Sequence, residues 1–261
     1  MLKIGVFDSG LGGLTVIQAL KKVIQGAELF YIADTKNAPY GEKTSEQILQ
    51  FSLDITEHFI EMHQIDALII ACNTATSAAI KILRERYPKI IIIGTEPGIK
   101  PAISQTSTGN IGVLATPTTL QGDKYQQLVN RLSAPKHITL YEQACPGLVE
   151  QIEKGALDTD KTKEMLEAWL HPMKKNNVDT IVLGCTHYPL ASKVIQELMQ
   201  DGVKLIHTGE AIAKHLLSLG EKSGHVNEGS LNIVLYTTGT IDTECIRTML
   251  DMTETVHFIS L

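Results

Sequence analysis

Basic charge, cysteine and long apolar runs are all scarce in this chain. Its 261 residues carry 23 Lys and Arg against 29 Asp and Glu, a formal net charge of −6. A nucleic-acid binder usually shows a basic face, and a protein drawn to anionic lipid shows a basic cluster. The charge balance speaks against both. The longest apolar runs are Ala67–Cys72, Ile90–Ile93 and Ile181–Leu183. All are far short of the roughly 20 residues that a membrane helix needs. Met1–Ile4 leads directly into an apparent strand with Asp8 close behind, so no export signal fits there. Four cysteines stand at 72, 145, 185 and 245. Such sparse use points to a reduced, cytoplasmic setting. No pair has CxxC spacing, which argues against a zinc knuckle or a thioredoxin-type centre. Low-complexity segments and long linkers are also missing.

What is present is a globular composition, with 43% apolar residues and a mean hydropathy of +0.04. Short apolar runs alternate with helical patterns from end to end. The strand candidates are Lys3–Phe7, Leu29–Ala33, Ala67–Ala71, Ile90–Gly94, Asn110–Leu114, Thr139–Gln143, Thr180–Gly184, Lys204–His207, Asn232–Thr237 and Val256–Ile259. Between them lie helical patterns over Leu14–Ile24, Glu46–Met62, Thr76–Tyr87, Thr119–Leu132, Pro146–Glu153, Thr159–Asn176, Leu190–Met199 and Glu210–Leu219. Strands that are apolar throughout and separated by helices predict an α/β fold with buried parallel sheets.

The chain also echoes itself. Ile65-Asp66-Ala67-Leu68-Ile69-Ile70-Ala71-Cys72-Asn73-Thr74 resembles Val178-Asp179-Thr180-Ile181-Val182-Leu183-Gly184-Cys185-Thr186-His187, at an offset of 113 residues. Ile4-Gly5-Val6-Phe7-Asp8-Ser9 resembles Ile111-Gly112-Val113-Leu114-Ala115-Thr116, at an offset of 107. Two matches in the same order predict two similar Rossmann-like or flavodoxin-like domains. The first comprises residues 1–97 with 208–261, because the tail after His207 has no counterpart and is expected to pack back on the first half. The second comprises residues 98–207.

Candidate chemistry gathers at the strand ends, where open α/β sheets bind ligands. Cys72 and Cys185 each follow an apolar strand and precede a helix, a setting that favours a thiolate. Two such thiols facing each other across a cleft suit proton removal from one face of a carbon and delivery to the other. The plain alternative is two buried core cysteines. Asn73, Thr74 and Thr186 read either as helix caps or as contacts to a carboxylate or ammonium. His187 reads as a partner of Cys185 or as a satisfied loop histidine. Asp8 reads as an N-cap acid, a contact to a substrate ammonium or an aid to a nearby thiol.

Asp8-Ser9-Gly10-Leu11-Gly12-Gly13-Leu14-Thr15 partly matches the dinucleotide pattern GxGxxG, with Asp34 ending the next strand. Thr15 occupies the third glycine position, and Asp8 would repel a pyrophosphate. Pro39-Tyr40-Gly41 reads as a lid or a plain turn. Glu150 and Glu153 lie near one helix face. Cys145 lacks the setting of the other two thiols, and Cys245 reads as structural. A metal centre of Cys72, Cys185 and His187 is the weaker reading, since the three would have to converge.

Taken together, these segments resemble the glutamate racemases of the cofactor-independent aspartate/glutamate racemase superfamily. The resemblance rests on Asp8-Ser9-Gly10 with Gly12-Gly13-Leu14-Thr15, Pro39-Tyr40-Gly41, Ala71-Cys72-Asn73-Thr74-Ala75, Gly184-Cys185-Thr186-His187 and Gly209-Glu210-Ala211. It implies an active site in the cleft between the two domains. It implies that Cys72 acts on D-glutamate and Cys185 on L-glutamate, with no cofactor and no metal. Asp8 would assist Cys72. His187 and an acid would assist Cys185, the acid aligning with Glu153 better than with Glu150. Substrate contacts would be Asp8, Ser9, Tyr40, Gly41, Asn73, Thr74, Thr186 and His187, with Thr116 as the counterpart of Ser9. The resemblance further implies a cytoplasmic homodimer that supplies D-glutamate for peptidoglycan and binds neither nucleic acid nor membrane. Gly122 and His207 depart from the family's usual residues. The nearest rival is an aspartate racemase. A nicotinamide-dependent oxidoreductase and an amino-acid-binding module are the more distant ones.

Overall fold

A computed structural model describes residues 1–132, 138–199, 202–243, 246 and 255–261. Cys245 lies outside the described residues. The chain divides into two compact units, Met1–Thr95 with Thr208–Leu261, and Glu96–His207.

The first unit opens with β1 (Leu2–Asp8), α1 (Leu14–Lys21), β2 (Ala27–Ala33), α2 (Ser45–His58), β3 (Ala67–Ile70), α3 (Asn73–Arg86) and β4 (Ile91–Gly94). The second unit runs through α4 (Ile99–Gln105), β5 (Asn110–Ala115), α5 (Pro117–Gln121), α6 (Asp123–Leu132), β6 (Thr139–Ala144), α7 (Leu148–Glu153), α8 (Asp160–Lys175), β7 (Thr180–Gly184), α9 (Ser192–Met199) and β8 (Lys204–Ile206). The chain then rejoins the first sheet through α10 (Gly209–Lys222), β9 (Leu231–Thr237) and β10 (Val256–Phe258). β9 pairs along β2 from Ala27↔Leu231 to Ala33↔Thr237.

The α/β class and the two parallel sheets expected from the sequence are both found. The strand orders are β10-β9-β2-β1-β3-β4 and β6-β5-β7-β8, and every pairing is parallel. The second order repeats the β2-β1-β3-β4 portion of the first. The sequence echo is a structural repeat down to the register, because β1 pairs Ile4 with Ala67 and β5 pairs Ile111 with Thr180. Ile4 and Ile111 open one pair of matched segments, and Ala67 and Thr180 stand third in the other. The helices cover the sheets with apolar faces. One core gathers Phe7, Ile48, Phe59, Leu68 and Leu83, and another gathers Ile99, Ile111, Val113, Val182 and Ile206.

Local structure departs from the sequence expectation where capping and turn chemistry decide. α3 starts at Asn73 rather than Thr76, because the Cys72 sulfur caps it and accepts the Ala75 N–H at 3.5 Å. The helix expected over Thr119–Leu132 breaks at Gly122, whose backbone is extended. The pattern over Glu46–Met62 is an α-helix that widens into a π-turn at Phe59–His63. The one expected over Leu190–Met199 is preceded by a 3₁₀ turn, Tyr188–Ala191. α4 is a helix beyond the expected patterns, and it carries Pro101. Pro101 falls in the first turn, where a missing N–H costs nothing. Among the described residues no helix is long and apolar enough to cross a membrane.

The repeated acid before β3 and β7 ties down the start of the central strand. Asp66 accepts the Lys3 N–H at 2.9 Å. Asp179 accepts the Thr106 hydroxyl at 2.6 Å and the N–H groups of Ser107 and Thr108 at 2.6 and 2.9 Å. Partial burial opposes ionisation, but these bonds win and hold the Asp179 carboxyl at about 2. A carboxyl depressed below its unfolded value near 4 contributes stability above that pH and loses it as pH falls toward 2. Asp179→Asn is therefore expected to cost about 1–2 kcal/mol at pH 7. In urea unfolding the gap to wild type should shrink at pH 3; equal stability at pH 7 would contradict this role.

Candidate active site

In the first unit the site is built on the carboxyl ends of β1, β2 and β3. β1 delivers Asp8, which is completely buried and accepts the Gly10 N–H on its carboxylate at 2.9 Å. The glycine-rich loop closes down on its own sheet. The Tyr31 hydroxyl donates to the Gly10 carbonyl at 2.5 Å. A Cβ on Gly13 would lie 2.6 Å from the Asp8 Cβ and 2.7 Å from the Tyr31 oxygen. Glycine at 13 thus permits the first turn of α1 to pack directly on Asp8.

Cys72 lies two residues beyond β3, and its Sγ is 3.9 Å from the Ser9 hydroxyl. An N–H aimed at sulfur from a helix start is the setting that stabilises an anionic thiol. Asn73 and Thr74 occupy the first turn of α3 and are buried, with the Asn73 amide donating to the Thr95 carbonyl at 3.5 Å. They do not cap the helix, because Cys72 does.

Tyr40 and Gly41 lie in a short 3₁₀ turn after Pro39. The Tyr40 hydroxyl donates to Asp34 at 2.6 Å. Burial first, then the Asp34 charge, pushes the Tyr40 phenol well above its ordinary value. Asp34 also accepts the Thr238 hydroxyl at 2.6 Å and the Asn37 amide at 3.0 and 3.1 Å. Its oxygens are committed to the protein, which removes it as a ribose-binding acid and overturns the dinucleotide reading.

The second unit presents a matching but differently equipped edge. Cys185 follows β7, and its Sγ lies 3.8 Å from Nδ1 of His187. Nε2 of His187 meets a carboxylate oxygen of Glu153 at 2.9 Å. Glu153 is the last residue of α7, so the end of that helix presents the acid to a buried imidazole. Glu150, one turn earlier, keeps a buried carboxylate oxygen without a hydrogen-bond partner. Thr186 is buried between Cys185 and His187. Thr116 caps α5, its hydroxyl accepting the Thr119 N–H at 3.3 Å.

Register aligns the two edges. Phe7↔Ile70 places Ser9 level with Cys72, and Ala115↔Gly184 places Thr116 level with Cys185. Asp34 and Cys145 are likewise equivalent, each joined by its N–H to the residue ending the central strand, Asp8 or Ala115. Burial, aided by the neighbouring Cys185, pushes the Cys145 thiol far up. Cys145 is thus held as a neutral thiol. Sequence reasoning missed the bond between Asp34 and Tyr40. Its signal was an acid ending β2 six residues before the tyrosine. Among the described residues no three His, Cys, Asp or Glu side chains converge as a metal site.

Two parallel α/β units of one topology, each with a thiol at the end of the same strand, define a class. Residues 5–216 match the sequence profile of the Asp/Glu/Hydantoin racemase family. The chain belongs to that family, and with it to the amino-acid racemases, which are isomerases. It is 64% identical over 260 residues to a glutamate racemase of Sulfurovum sp., covering 100% of this chain and 98% of that one. It is similar to the crystal structure of a glutamate racemase isoform from Bacillus anthracis, with a TM-score of 0.88 and 30% identity over 100% of this chain and 98% of that one. It is also similar to a glutamate racemase from Francisella tularensis in complex with D-glutamate, with a TM-score of 0.84 and 29% identity over 100% of this chain and 97% of that one.

The His187 geometry separates the two acids of α7. Glu153→Gln keeps an acceptor but loses the charge, and kcat should fall about tenfold, one charge-assisted bond's worth. Glu150→Gln should leave kcat within about twofold, as one of its carboxylate oxygens is buried without a hydrogen-bond partner among the described residues. Steady-state racemisation by circular dichroism checks both, and the reverse ranking would contradict the arrangement.

Proposed function

We propose that the protein interconverts L-glutamate and D-glutamate by proton transfer between two thiols, without a cofactor. One observation carries this reading: Cys72 and Cys185 occupy equivalent ends of repeated strands, each level with a hydroxyl residue, and each has its own basic or acidic neighbour. The α-protons of the two enantiomers lie on opposite faces of the same carbon, so racemisation needs one group for each face. Cys72, beside Ser9 and near Asp8, takes the proton of D-glutamate. Cys185, beside His187 and Glu153, takes that of L-glutamate. In each direction one sulfur begins as thiolate and the other as thiol, and their protonation states exchange with the turnover.

The α-proton is very weakly acidic, and no electron sink is invoked. The stabilisation has to come from fixed donors around the developing charge in a water-poor setting. Ser9, Asn73, Thr74, Thr116 and Thr186 are buried polar groups at these strand ends and supply such donors. Asp8 and His187 serve as both thiol partners and substrate contacts, and the Tyr40-Gly41 turn completes the contact set. The relatives named glutamate racemase support glutamate over aspartate. We further propose a cytoplasmic homodimer that provides D-glutamate for peptidoglycan, with no nucleic-acid or membrane partner.

The test is proton NMR of each glutamate enantiomer with pure protein and no added cofactor, with L-aspartate in parallel. Glutamate is expected to racemise and aspartate to stay unchanged. Cys72→Ser and Cys185→Ser should each lower racemisation in both directions by about 10²–10⁴-fold, the range for losing a positioned acid or base. Full activity in either variant would contradict the pair of thiols.

A further inference from the structure

We propose that Asp34 is the positioning residue for Tyr40, latching the Pro39-Tyr40-Gly41 turn into its substrate-binding form, with Thr238 holding the latch from the C-terminal segment. The proposal rests on the reading of that turn as a glutamate contact. Asp34 is 1% exposed, yet every side-chain hydrogen-bond donor it meets among the described residues is neutral. A buried carboxylate served only by hydroxyl and amide groups is a costly arrangement for stability. The orientation it imposes on its donors is what it provides. Its Oδ2 takes the Tyr40 hydroxyl at 2.6 Å and its Oδ1 takes the Thr238 hydroxyl at 2.6 Å.

The segment leading from Asp34 to Tyr40 is pinned to the end of β9 at further points. Thr35 and Thr237 share a hydroxyl bond at 2.8 Å. The Lys36 N–H donates to Thr238 at 3.2 Å, and the Thr238 N–H donates to the Ala33 carbonyl at 3.1 Å. The Tyr40 ring packs in the same apolar cluster as Cys72 and Phe7. A tyrosine hydroxyl has a single proton. Here it is given to Asp34, so Tyr40 is not a proton donor in the reaction. The hydroxyl serves to hold the turn, and residues 39–41 follow the phenol that Asp34 fixes.

Asp34 and Tyr40 therefore act as one unit. Tyr40→Phe keeps the ring and loses the latch, and Asp34→Asn keeps the shape and weakens the same bond. Each is expected to raise KM for both glutamate enantiomers about tenfold, the value of one buried hydrogen bond. kcat should stay within about threefold, because neither residue touches the reacting atoms. The double variant should be no worse than the more affected single one. Thr238→Val, which removes one hydroxyl far along the chain from the turn, should show a smaller rise of the same kind. A downfield hydroxyl proton resonance should be visible in wild type, missing from Tyr40→Phe and shifted upfield in Asp34→Asn. KM effects that multiply in the double variant would overturn the proposal. So would loss of the resonance with KM unchanged. A wild-type protein that does not turn over glutamate would refute the functional reading instead, and the latch would then stand or fall on the resonance.

Discussion

Parallel pairing between the first and third strands of each repeat is the constraint on which the chemistry depends. The side chain that leaves a strand end is placed by register alone, and a slip of one residue turns it to the opposite face. In the first unit the pairing runs Ile4↔Ala67 to Phe7↔Ile70, and in the second Ile111↔Thr180 to Ala115↔Gly184. The backbone just before these pairs is bonded alike in both, from Asp66 to Lys3 and from Asp179 to Asn110. The carboxylates of Asp66 and Asp179 reinforce the same join. A thiol two residues beyond β3 and another one residue beyond β7 thus arrive at equivalent places without any long-range search.

Equivalent placement does not bring equivalent support. Asp8 ends the first central strand as a buried carboxylate, whereas Ala115 stands at the matching place in the second. The second unit instead brings His187 to its thiol and backs the imidazole with Glu153. The neighbouring position differs as well, because Asp34 of the first unit is replaced by Cys145 in the second. Each repeat has kept the strand frame and changed the groups mounted on it. A pair of thiols serving mirror-image substrates requires matched positions, while each thiol can be tuned by its own neighbours.

The sequence made the frame legible because its physical signals are local and strong. Uniformly apolar runs gave the parallel strands, and the repeated Asp-x₅-Cys and Ile-Gly-Val segments gave the repeat. Cys72, Cys185, His187 and Asp8 are readable from the sequence as strand-end groups. What escaped was governed by contacts distant in sequence or by turn geometry. The cap on α3 is a sulfur, outside the usual set of capping oxygens. α4 is only seven residues long and carries Pro101. Asp34 looked like a cofactor acid because its partner Thr238 lies 204 residues away. The choice between Glu150 and Glu153 rested on family resemblance, since the contact of Glu153 with His187 joins residues 34 apart in sequence.

The central claim, two thiols working from opposite faces, is tested most directly by deuterium uptake in D₂O. L-glutamate is incubated with wild-type protein and sampled at low conversion. Two separate groups predict that the D-glutamate formed carries deuterium at the α-carbon while the remaining L-glutamate keeps its proton. Deuterium entering the remaining L-glutamate as fast as it enters the D-glutamate product would mean one group serving both faces, and would contradict the account.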